Sequence, residues 1–70
     1  MESVNDFFDK QKCYISEAKT KSRLSLIQRW SKNYVKKVKK SKEFSDIDKK
    51  NAMRKLNSLQ ENIKIKSRLL

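Results

Sequence analysis

Three features of the chain predict an all-α fold, a small three-helix up-down-up bundle. The sequence contains neither Gly nor Pro, which removes the usual sources of positive φ and of helix breaks, so hairpins and tight loops lack the residues that build them. Its apolar residues recur at steps of three and four in three successive runs, the period of amphipathic helices rather than of strands. Hydroxyl residues stand ahead of each run, at Ser3, at Thr20 or Ser22, and at Ser45, where helix N-caps belong. The 70 residues form one domain, 1–70. A chain this short buries only about 60% of its unfolded surface, so a helical hairpin that dimerises through its first or third helix is the alternative architecture.

The first helix is expected over about residues 4–19. Val4, Phe7, Phe8, Tyr14, Ile15 and Ala18 fall on one stripe, with Gln11 as its only polar member, and Ser3 followed by Asp6 resembles a weak capping box. Continued past Ala18, that register puts Leu24 and Ile27 on the wrong side of the cylinder. The phase change places a break in KTKS, residues 19–22.

The second helix is expected over about 23–40. Its stripe is Leu24, Ile27, Trp30, Tyr34, Val35 and Val38, with Leu26 an outlier near the edge. The opposite face holds Lys21, Ser25, Arg29, Lys32, Lys36, Lys39 and Lys40. KKSKEF, residues 39–44, is the connection that reverses the chain, of a length that suits antiparallel neighbours.

The third helix is expected over about 46–68, with Ser45 as N-cap and the acids Asp46 and Asp48 at the positive end of the helix dipole. Ala52, Leu56, Leu59, Ile63 and Leu70 form its seam, with Met53 beside it and Lys66 interrupting. The seam is too short for a long coiled coil and suits bundle packing.

Charge is the most specific functional signal. Between residues 19 and 42 there are ten Lys or Arg and no Asp or Glu, within a total net charge of +11. Flanking segments are nearly balanced, at −2 for 1–18 and +3 for 43–70, so the excess is a local surface feature. Like charges at helical spacing repel by about 0.2–0.5 kcal/mol per pair, and a face serving solubility alone would interleave acids. The second helix is therefore expected to bind nucleic acid, DNA or RNA, through Lys21, Ser25, Arg29, Lys32, Lys36, Lys39 and Lys40. Backbone contacts should dominate, since guanine readout typically needs Arg and the centre of the face offers only Arg29. Trp30 and Tyr34 beside lysines could stack on unpaired bases, but both belong to the apolar stripe and are read as core. Phe7, Phe8 and Tyr14 are read as core partners on the same grounds.

Other classes fare worse. With no His and carboxylates scattered over polar faces, the chain lacks the usual general acid or base and is read as no enzyme. One Cys and no His leave no zinc set, and no metal or cofactor is expected. Cys13, opposite the first stripe, is read as an exposed thiol. No stretch reaches the roughly 18 apolar residues of a membrane span, and the polar start MESVND lacks a secretory pattern, so an intracellular, cytoplasmic protein is expected. A basic amphipathic helix also suits a membrane surface, but the other two stripes can close a core over its apolar side. Lys outnumbers Arg 15 to 4, as in AT-rich coding genomes such as those of bacteriophages, mobile elements or low-GC bacteria. That profile supports the alternative function, a factor that binds an acidic host protein and inhibits or redirects it.

Overall fold

The computed structural model describes residues 2–70 as three helices, α1 Val4–Glu17, α2 Lys21–Lys40 and α3 Asp46–Leu69, with no strand among the described residues. Each start is set by a hydroxyl cap. Ser3 accepts from the Asp6 amide at 3.2 Å and Thr20 from the Arg23 amide at 3.2 Å. Ser45 accepts from the Asp48 amide while the Asp48 carboxylate accepts from the Ser45 amide, a reciprocal capping box. The break between α1 and α2 needs no glycine because Ala18 and Thr20 turn to extended backbone, and no described residue has positive φ.

Side-chain contacts give the topology. Tyr34, in the second half of α2, meets Phe7 at the start of α1, so these helices run antiparallel. Lys66 near the end of α3 donates to the Ser16 carbonyl near the end of α1 at 3.1 Å, so those two run parallel. Lys21 and Leu24 face Ile63 and Arg68 across one groove, so α2 and α3 are antiparallel. The result is an up-down-up bundle, 38 × 17 × 16 Å.

The core follows the three stripes: Val4, Phe8 and Ile15 from α1, Leu24, Ile27, Tyr34, Val35 and Val38 from α2, Ala52, Leu56, Leu59 and Ile63 from α3, with Ala18 at the break. Phe44 packs against it and anchors the 41–45 connection. The Tyr34 hydroxyl donates to the Glu2 carbonyl at 2.6 Å, tying the N-terminal segment to α2, and burial pushes the Tyr34 pKa up. Beside this contact, Lys10 Nζ lies 2.7 Å from the Glu2 carboxylate, whose hydrogen bond raises the Lys10 pKa.

Several expectations are corrected. The first helix ends at Glu17 rather than 19, and the second begins at Lys21 rather than 23, because Thr20 and not Ser22 caps it. Tyr14 and Trp30 are not core: both flank the seam between α1 and α2 and stand at the surface. Leu70 leaves the expected seam and is exposed; α1 ends opposite Lys66, so the last residues of α3 run past it. Ser31, absent from the apolar series, is fully buried, its hydroxyl donating to the Ile27 carbonyl at 2.8 Å.

Gln11 is 5% exposed in the middle of the α1 stripe, and its Oε1 has no hydrogen-bond partner among the described residues. Leaving a buried acceptor unmet costs about 1–3 kcal/mol, and Met has similar length and helix propensity. Gln11→Met is expected to stabilise the fold by about 1–2 kcal/mol, read as a higher urea midpoint at unchanged slope.

Candidate nucleic-acid interface

The candidate surface lies on α2, where the core claims one side of the helix and leaves the other to water. Leu24, Ile27, Ser31, Tyr34, Val35 and Val38 are buried. Lys21, Ser25, Arg29, Lys32, Lys36, Lys39 and Lys40 are all exposed and lie within about 100° of arc at 100° per residue. From Lys21 to Lys40 the stripe runs about 28 Å at 1.5 Å per residue, and the molecule is long enough to support it.

No carboxylate quenches this face at contact distance. The ion pairs among the described residues are Lys10 with Glu2 and Lys64 with Glu61, neither on α2. Asp6, Asp9 and Glu17 of α1 are exposed and pair with none of the α2 cations. Helix chemistry does not require such a face. Lys37, Lys39 and Lys40 suit the negative C-terminal end of the dipole, but the first turn of α2 contains no acid and begins with Lys21. A cation there opposes the dipole by about 0.3–1 kcal/mol.

Two features go beyond the sequence reading, a second helix in the cationic surface and the exposure of Trp30, which the sequence placed in the core. An open groove of about 530 Å³ separates α2 from α3, where Lys21, Ser25 and Gln28 face Gln60, Lys64 and Arg68. The cationic surface thus continues onto α3. Its signal was present as the four-residue spacing of Gln60, Lys64 and Arg68 along the third seam, but their side of the bundle depends on how α2 and α3 pair.

The second feature is aromatic. Trp30 is 39% exposed on the α1 side of α2. The Arg23 guanidinium lies 5.2 Å from its ring centroid and 5.9 Å from that of Tyr14, within cation–π range. Chemically, the surface offers point charges and amide and hydroxyl donors to an anion, with one aromatic face at its margin. Cys13 is exposed on α1. Among the described residues no cluster of three metal-ligating side chains forms, and no helix is long and apolar enough to cross a membrane. No family model, curated protein or solved structure matches the chain.

Proposed function

We propose that the protein binds nucleic acid through the cationic face of α2, mainly by contacts to backbone phosphates and with weak sequence specificity. The observation that carries this reading is the single-signed stripe itself: six cations and Ser25, all exposed, with no acid of the described residues paired to them. A row of this length can follow several successive phosphates, and lysine, the commoner base in the stripe, acts as a point charge rather than as a reader of base edges. Arg68, with Lys64 beside it paired to Glu61, extends the row onto α3.

Counterion release makes the reading quantitative. If about five cations engage duplex DNA, log K falls with log salt at a slope near −4.5, so affinity should fall roughly 500-fold between 50 and 200 mM salt. A mobility-shift titration of the native chain at those two concentrations checks this. A salt-independent affinity would contradict phosphate binding. An acidic protein partner would also give salt-sensitive binding, so the titration is paired with nuclease treatment of material captured from lysate. Retention of nucleic acid before treatment and loss of the captured material after it is the expected result. Capture of one acidic protein that survives nuclease would replace nucleic acid as the ligand.

A further inference from the structure

We infer that the cleft beside Trp30 takes an unpaired nucleobase, so that the protein holds single-stranded nucleic acid in preference to duplex. The inference rests on the phosphate-binding reading of α2 and adds to it the form of strand that is bound.

Trp30 is the only tryptophan of the chain and one of its largest exposed apolar side chains. Arg23 lies over the indole from the N-terminal side, about two turns back along α2. Toward the C-terminal side lies an open cleft of about 360 Å³ shared by Trp30, Asn33, Tyr34, Lys37 and Phe7. That volume falls in the range of roughly 300–1,000 Å³ found for small-ligand sites.

The floor of the cleft is preorganised. Phe7 and Tyr34 are stacked with centroids 3.9 Å apart and planes 6° from parallel, and the Tyr34 hydroxyl is held by the Glu2 carbonyl. The Glu2 carboxylate at the cleft wall is engaged by Lys10, which offsets the one acid there. Asn33 and Lys37 are exposed; an amide can bond a base edge and an ammonium a phosphate.

The cleft is continuous with the stripe. Arg29, Asn33 and Lys37 follow at four-residue steps, a row that drifts around α2 from the cationic face toward Trp30. A strand whose phosphates lie on Arg29, Lys36 and Lys40 can therefore turn a base toward the indole. An isolated surface aromatic needs no explanation. This one is flanked by Arg23 and Lys37 at the edge of a polycation, and charge complementarity names a polyanion with planar rings as its occupant. Every base of a single strand can offer its face for stacking, whereas a duplex must first unstack and flip one.

The single tryptophan supplies the readout. Indole fluorescence is followed at 50 mM salt while the native chain is titrated with oligo(dT), with oligo(rU) and with a DNA duplex of equal charge. Quenching by the single strands without quenching by the duplex is expected, and a difference between dT and rU would identify the preferred sugar while still supporting the inference. Trp30→Ala should weaken single-strand binding by about 5- to 150-fold, the range for loss of one stacked base, and leave duplex binding unchanged. Trp30→Phe should fall between them. Circular dichroism of Trp30→Ala should match that of the native chain, because the indole lies outside the core. Equal affinity for single strand and duplex, or an unchanged single-strand affinity in Trp30→Ala, would overturn the inference and leave phosphate binding standing. Absence of binding to any of the three would overturn the phosphate reading, and this inference with it.

Discussion

Phe8→Ala is expected to remove most of the stability of the protein. Phe8 is 1% exposed and sits where α1 meets α2, edge-on to Phe7 with centroids 5.2 Å apart and to Tyr34 at 6.1 Å. Truncating a buried Phe to Ala costs about 3–5 kcal/mol, because the transfer energy of the ring is lost and the cavity collapses only in part. At about 0.05–0.15 kcal/mol per residue, a chain of this length has roughly 3.5–10 kcal/mol in total. The change is therefore comparable to the lower end of the whole stability. It should lower Tm by about 12–40 °C, taking roughly 4–8 °C per kcal/mol for domains of this size, and raise the unfolded fraction seen by circular dichroism at 25 °C. A Tm within about 5 °C of the native chain would mean that Phe8 does not hold α1 to the other helices. Nearby Trp30, larger but 39% exposed, makes the contrast: its removal leaves no enclosed cavity and should cost less than that of Phe8.

That contrast also explains what was legible in the sequence. The starts of α1 and α3 were, and that of α2 to within two residues, because Ser3, Thr20 and Ser45 act through local bonds to amides three residues on, and local bonds leave a local pattern; at α2 the sequence offered Ser22 as a second cap. The end of α1 was less so. With no Gly to mark a left-handed cap, Ala18 ends the helix in extended backbone, which any residue can adopt. The stripes located the core, but a wheel cannot say which edge of a broad stripe is covered. That depends on neighbour distance: α1 packs more extensively on α3 than on α2, and the open α1–α2 margin is where Tyr14 and Trp30 emerge. Ser31 failed for the opposite reason. Its phase is central, but a polar residue was left out of the apolar series, and only the bond to the Ile27 carbonyl shows how its hydroxyl is satisfied within the helix. The cationic face was legible because charge was single-signed over a contiguous run, whereas the share of α3 in it required the antiparallel register.

Reversing three charges at the centre of the stripe should abolish measurable binding at moderate salt. Arg29→Glu, Lys32→Glu and Lys36→Glu together remove three of about five phosphate contacts, which should change the salt slope from near −4.5 to near −1.8. Carried from 1 M down to 50 mM salt, three fewer released counterions weaken binding on the order of 10³-fold, before any repulsion by the new carboxylates is counted. Global charge is a competing explanation, since each reversal lowers the net charge by two and takes the chain from +11 to +5. A second triple separates them. Lys12→Glu, Lys50→Glu and Arg54→Glu are exposed positions outside α2 and give the same net charge. If the arranged stripe is the site, this control should keep an affinity within about tenfold of the native chain at 50 mM salt and nearly the native slope, because it removes none of the cations of the stripe. Equal loss in both triples would mean that net charge alone holds the polyanion. All six side chains are exposed and none forms an ion pair among the described residues, so neither triple breaks a core contact, and a native melting curve for each confirms that affinity alone has changed.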